Sequence, residues 1–190
     1  MSGQLNEQLD EDLVAEGPPE VEFVPGIAAT FASKRIAAAA LIRDEDGKIL
    51  LVEPTYKPTW LLPGGVVEAD EDPLAACVRE VHEELGMDLT PGPLLVVDWV
   101  PRHGIWGDSL QFIFDGGRMT AEQAAGMRLQ ESEIRSTEFV TLERAAELTP
   151  PSLARRLNSA LAAANQGHPA YLRFGRRHTH STAGLAISTT

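Results

Sequence analysis

Cysteine is almost absent from the chain: Cys77 is the one thiol among 190 residues. It cannot close an internal disulfide, and no Cys/His pairs stand at zinc-ligand spacing. A secreted disulfide scaffold and a structural zinc site are thereby excluded, and a reducing compartment is expected. Long apolar runs are missing as well. The longest, Ile36 to Ile42, is far short of a membrane span, and the opening MSGQLNEQLDEDL has neither a basic n-region nor an apolar h-region. The expectation is a cytoplasmic protein with no membrane partner. Basic residues are scarce: 16 Lys and Arg stand against 28 Asp and Glu, a formal net charge of -12. Such a surface repels the phosphate backbone of a nucleic-acid duplex, and a small phosphorylated substrate would need cations as intermediaries.

What is present is a chain that is 43% hydrophobic, enough to bury a full core without staples. Its charge is uneven. Residues 1–30 hold seven acids and no Lys or Arg, whereas residues 166–190 hold three Arg and no acid. This divides the chain into an acidic, flexible N-terminal arm (1–30), a folded domain (31–165) and a partly mobile C-terminal tail (166–190). Val21 to Val24 could add a strand to a sheet edge, and Tyr171, Leu172 and Phe174 could pack back on the domain. No internal repeat is evident.

Within the domain, Ile36–Ile42 and Ile49–Val52 read as two paired strands, because Asp46-Gly47 between them supplies the backbone angles of a hairpin turn. Trp60–Leu62 reads as a short strand stopped by Pro63-Gly64-Gly65. Leu94–Val100 and Leu110–Phe114 are further strands, the latter with Leu110, Phe112 and Phe114 on one face. Phe139-Val140 reads as the last strand. Leu74, Cys77, Val78, Val81 and Leu85 recur at helical spacing between the cap Asp72-Pro73 and the terminator Gly86. Leu153, Leu157 and Leu161 mark a second helix after Thr149-Pro150-Pro151. Strands interleaved with helices give an α/β domain with a mixed β-sheet.

Counting 100° per residue, Glu80, Glu83 and Glu84 fall within an arc of about 100° opposite the apolar stripe of the first helix. Like charges at these spacings destabilise a helix by roughly a few tenths of a kcal/mol per pair, so a compensating cation is expected. Carboxylate oxygens are the hard ligands Mg2+ prefers. A solvated acidic face is the plainer alternative. Two flanking features favour the cation. Pro63-Gly64-Gly65 lets the backbone approach a ligand closely, and Glu71 can pair with Arg79 to fix the loop against the helix.

Together these residues form one pattern: Gly65, five residues, Glu71, seven residues, Arg79-Glu80, apolar Val81, any residue, Glu83-Glu84, any residue, Gly86, apolar Met87. The pattern resembles the complete Nudix box, and the chain is similar in this to the Nudix hydrolase family. The order of strands and helices around it resembles the family's α/β/α sandwich over about residues 31–165. The resemblance implies that Glu80, Glu83 and Glu84 ligate Mg2+, with Mn2+ as a substitute and the Gly64 carbonyl as a further ligand. It implies that Arg79 and Glu71 orient the catalytic loop. Glu68 matches a position often acidic in the family, and Asp70 stands where many members have glycine, although aspartate tolerates left-handed geometry. The implied reaction is hydrolysis of a nucleoside diphosphate linked to another moiety, such as a nucleoside triphosphate, ADP-ribose or a nucleotide sugar. The helix carboxylates, or Glu131 or Glu133 from a separate loop, are the candidates for the base that takes a proton from water.

Substrate contacts are expected from Trp60, Lys57, Arg102, His103 and Trp106, with Tyr56 and Trp99 nearby in sequence; the segment Arg102–Asp108 mixes aromatic, basic and acidic groups between two strands. Core or surface packing is the alternative for each. Cys77 reads as a small core residue. Two other readings stand beside the enzyme: a non-catalytic Nudix-fold nucleotide-binding or regulatory module, against which the intact box argues, and an acidic interaction module working through its tails. A homodimer is left open.

Overall fold

The computed structural model describes residues 9, 11–18 and 21–177. The chain divides into two units between Ser33 and Lys34. In the first, residues 11–15 are helical and Ala28–Thr30 form a single 3-10 turn. The Glu22 carboxylate accepts from the N–H groups of Gly26 and Ala28 at 2.6 and 2.8 Å. Val21 to Val24 form no strand.

The second unit is an eight-stranded mixed sheet with helices on both faces. Its strands are β1 (Arg35–Arg43), β2 (Ile49–Pro54), β3 (Gly64–Val66), β4 (Leu94–Val100), β5 (Ser109–Arg118), β6 (Ile134–Val140), β7 (Ala170–Arg173) and β8 (Arg176–Arg177). The order across the sheet is β6-β2-β1-β5-β4-β7-β8, with β3 also on β1. Helices are α1 (Pro73–Leu85), α2 (Ala121–Ala125), α3 (Leu142–Leu148) and α4 (Pro151–Gln166). Period-two alternation splits the central strands between two cores. Leu41, Ile49 and Leu51 face Leu153, Leu157, Ala160 and Ala163 of α4. Ala38, Ala40, Ile42, Leu50 and Val52 face Ala76, Cys77, Val81 and Leu85 of α1. This is an α/β/α sandwich. Among the described residues no helix is long and apolar enough to cross a membrane.

The hairpin turn forms at Asp44–Lys48, with Gly47 at φ +87°. Its strands separate at once, however, and β1 meets β2 only at Arg43 and Ile49. The segment Leu61–Val66 occupies the gap. Val52 and Leu61 exchange backbone hydrogen bonds at 2.9 and 3.0 Å, the Ala40 N–H donates to the Pro63 carbonyl at 3.0 Å, and Gly64–Val66 pair antiparallel with Ala39–Ala37. The strand expected at Trp60–Leu62 is therefore a single bridge, and the regular strand includes the glycines that were expected to end it. Only glycine fits there. Gly64 has φ +139°, and a Cβ on it would lie 2.3 Å from the Ala38 carbonyl oxygen and 2.5 Å from Ala39 Cα.

The sheet also runs beyond Phe139-Val140 and past residue 165. β7 pairs parallel with β4, and Leu172 is fully buried. The Asp98 carboxylate, on β4, holds the following turn: it accepts from the Gly175 N–H at 3.0 Å and from Arg156 of α4 at 2.7 and 2.8 Å. The mobile end expected for the tail, from residue 178 onward, lies outside the described residues.

Candidate active site

Local signals place α1. The Asp72 side chain accepts from the N–H groups of Leu74 and Ala75, Pro73 occupies the first turn, and Gly86 ends the helix in the left-handed conformation with φ +65°. The buried face keeps the expected Cys77, Val81 and Leu85 but is rotated from the stripe the sequence implied. Leu74 is exposed, and the buried residues are Ala76, Cys77, Val81, Glu84 and Leu85. The small Ala76 and Cys77 draw the helix onto the sheet along a line that passes through Glu84. The carboxylates thus do not lie opposite the core; the arc they occupy overlaps it.

Glu84 is only 5% exposed. Its Oε2 accepts the Gly64 N–H at 2.8 Å, so the contact that Gly64 makes with the acidic helix is through its amide. No Lys or Arg forms an ion pair with Glu84 among the described residues. Burial pushes its pKa up to about 8; the Gly64 hydrogen bond opposes this, and the charges of Glu80, Glu133 and Glu83 add to it. Glu80 is raised in the same direction, mainly by burial, with Arg79 opposing. Its carboxylate lies against Gly65, where a Cβ would come within 2.3 Å of it.

Arg79 gathers the remaining acids. Its Nε and Nη2 donate to the two oxygens of Glu71 at 2.8 and 2.9 Å, a bidentate pair. Nη1 donates to both Glu80 and Glu83 at 3.0 Å, and Nη2 also reaches the Val66 carbonyl at 3.2 Å. Arg79, whose own pKa is raised, and the Glu68 N–H hold the Glu71 carboxyl down at about 2. The loop between Glu68 and Glu71 turns through Asp70 at φ +61°, a left-handed position.

Other candidates separate into two groups. Glu133 stands near the site, since its charge raises Glu80, Glu84 and Tyr56, whereas Glu131, exposed in the same turn, registers at none of them. Lys57 is half-buried over the Tyr56 ring, 5.5 Å from its centroid, and feels the charge of Glu84. Trp60 instead packs against the α4-side core, with its N–H on the Leu148 carbonyl. Arg102 and His103 are exposed. His103 and Trp106 close a tight turn by reciprocal backbone hydrogen bonds of 3.1 Å, leaving the Trp106 side chain 57% exposed beneath the Arg35 guanidinium. Asp108 anchors this turn by accepting from Lys34 and from Trp99 Nε1. Asp108 is the acid of the mixed segment Arg102–Asp108, but Arg35 carries no sequence signal that would have singled it out: only the parallel pairing of β1 with β5, which sets Arg35 beside Ser109, brings it here.

Among the described residues no three His, Cys, Asp or Glu side chains converge at metal-ligand spacing. Arg79 draws Glu80 and Glu83 to itself. The donor set nevertheless suits a hard divalent cation: all are carboxylate oxygens, and among the described residues Glu71, Glu80 and Glu83 share one ion-pair partner, Arg79, while the buried Glu84 has none.

Residues 33–161 match the family model described as the NUDIX domain. The chain is 30% identical over 126 residues to a MutT-like protein of Streptomyces ambofaciens, covering 66% of this chain and 76% of that one. It is 42% identical over 55 residues, 29% of its length, to mRNA-decapping enzyme subunit 2 of Saccharomyces cerevisiae (strain YJM789), and spans only 6% of that protein. The crystal structure of a MutT protein from Methanosarcina mazei Go1 superposes with a TM-score of 0.57 at 26% identity, over 72% of this chain and 99% of the other. With the family model matched across most of its length, the chain belongs to the NUDIX domain family.

Proposed function

We propose that the chain is a pyrophosphohydrolase, dependent on Mg2+ or Mn2+, that cleaves a nucleoside diphosphate linked to another moiety into a nucleotide and a phosphorylated product. The observation that carries this reading is Glu84: a carboxyl set inside the protein, fixed by the Gly64 N–H, near two further carboxylates and in no ion pair among the described residues. A solvated acidic face, the plainer alternative, does not bury one of its carboxyls.

Glu80, Glu83 and Glu84 would hold the cation. When bound, it would neutralise the diphosphate and make a water acidic enough to lose a proton near neutral pH. Arg79 keeps Glu80 and Glu83 on one side of the helix and ties them, through Glu71, to the loop that follows β3. Gly65 leaves room for the Glu80 carboxylate. Glu133 is the favoured base, because its charge acts on both Glu80 and Glu84 from a separate turn. The single thiol, Cys77, is buried, in keeping with a reducing, cytoplasmic setting.

The test is a panel of nucleoside triphosphate, ADP-ribose and nucleotide sugar, incubated with Mg2+, with Mn2+ and with a chelator, reading released nucleotide and phosphate. Metal-dependent release from at least one substrate is expected. In the same assay Glu133→Gln should lower kcat far more than it raises KM and weaken the acid limb of the pH-rate profile, and Glu131→Gln should not.

A further inference from the structure

In so acidic a chain, cations should find acids. Arg35 and Lys57 do not: among the described residues neither side chain makes an ion pair or a hydrogen bond. Each lies over an aromatic face instead, Arg35 Cζ 4.7 Å from the Trp106 ring centroid and Lys57 Nζ 5.5 Å from that of Tyr56. A guanidinium held over a ring face by its charge spends no N–H hydrogen bond on that contact, so its donors stay available to a ligand.

The two cations also belong to the same end of the sheet: β1 begins at Arg35, and β2, antiparallel to it, ends at Pro54, three residues before Lys57. Burial and the charge of Arg35 push the Lys57 pKa down, while Glu84 pulls it back up. Lys57 thus stands within electrostatic reach of both the acidic centre and Arg35. Two like charges that act on each other, neither in an ion pair among the described residues, repel, and an anion that joined them would remove the repulsion. The seat of Arg35 is built rather than incidental, because the turn bearing Trp106 is closed by two backbone hydrogen bonds and anchored at Asp108 by Lys34 and Trp99.

We propose that Arg35 and Lys57 form a grip for a phosphate of the substrate outside the diphosphate that is cleaved, with Trp106 as the seat of Arg35. The site thereby selects substrates whose second moiety is itself phosphate or phosphorylated over those in which it is an uncharged sugar. This deepens the proposed pyrophosphohydrolase reading and rests on it. A polyanion extending from the acidic centre past Lys57 would find a partner for each positive charge. A sugar in that place offers hydroxyls, which leave both charges uncompensated.

The experiment compares wild type with Arg35→Gln, Lys57→Gln and Trp106→Ala. For each protein, KM and kcat are measured on a nucleoside triphosphate and on ADP-ribose with Mg2+, and binding of inorganic tripolyphosphate with Mg2+ is followed by equilibrium dialysis. The grip predicts that KM for the triphosphate rises in both charge variants by at least about tenfold more than KM for ADP-ribose, with kcat much less affected. Tripolyphosphate binding weakens by a similar factor, and Trp106→Ala reproduces part of the Arg35→Gln effect. Equal effects on the two substrates, or unchanged tripolyphosphate binding, overturn it. If wild type hydrolyses neither nucleotide yet binds tripolyphosphate in a way that both charge variants lose, the grip stands and the hydrolase reading fails. Lys57 lies in a loop, so Lys57→Gln carries the test alone if Arg35→Gln, in a strand, lowers the melting temperature.

Discussion

The amide of Gly64 donates to Glu84 Oε2 at 2.8 Å, from a short strand paired on β1 to the helix that carries the acids. That bond sets one carboxylate of an acidic helix inside the protein. It ties the glycine-rich segment, which no side chain could follow into the sheet, to the residue on which the proposed chemistry depends.

A pH dependence follows for the metal-free protein. The folded Glu84 carboxyl titrates at about 8 against an ordinary 4.5. Between those values the folded state keeps a proton that the unfolded state has released, so stability falls as pH rises through the window. Denaturant unfolding in chelator at pH 5 to 8 should show wild type losing stability relative to Glu84→Gln, which has no such proton. Parallel curves would contradict the assignment.

The two glycines should fail differently. In Gly64→Ala the new Cβ meets the Ala38 carbonyl and Ala39 Cα at a φ that disfavours any side chain, so a loss of roughly 2 kcal/mol or more is expected. In Gly65→Ala the clash is with the Glu80 carboxylate alone, the end of a side chain. The melting temperature of Gly65→Ala should stay near wild type while turnover drops by about tenfold or more. Thermal melts alongside initial rates separate the two.

The helix that carries the site was legible in the sequence because its signals are local: Asp72 caps it, Pro73 opens it and Gly86 ends it within one periodic segment. The glutamates and Arg79 were legible by spacing. The burial of Glu84 was not, since counting Leu74 in the apolar stripe and leaving out Ala76 turns the helix away from its true contact line. The sheet was harder still. That β1 leaves its hairpin partner after one residue pair and that Gly64 and Gly65 belong to a strand are settled by distant partners, whereas Leu172 packs back on the domain as its sequence allowed. Arg35 shows the limit most plainly, because nothing near it in sequence says that it will rest on Trp106.

Cys77 is fully buried, and burial pushes its thiol up to about 12. It should resist alkylation in the folded protein at pH 8 and react at once in denaturant. Mass spectrometry of iodoacetamide-treated protein reads this directly. Rapid native labelling would mean that α1 leaves the sheet more readily than its packing implies.

Asp98 is fully buried against Arg156, which is itself only 9% exposed. Asp98→Ala leaves that guanidinium buried without its partner and frees the Gly175 turn, at a cost of about 3 to 5 kcal/mol. The expected result is a large fall in denaturation midpoint, with early loss of hydrogen-exchange protection in β7. A change within about 1 kcal/mol would show that water reaches the pair.

The central claim is that the buried Glu84 belongs to a metal-dependent hydrolytic centre, and the most direct measurement is kcat/KM of Glu84→Gln against wild type at saturating Mg2+, on the best substrate of the panel. The exchange keeps the side chain's size and removes its anionic charge. The account predicts a fall of at least about a hundredfold with the melting temperature of the metal-free protein unchanged or raised. Turnover within about threefold of wild type in a folded variant would contradict it.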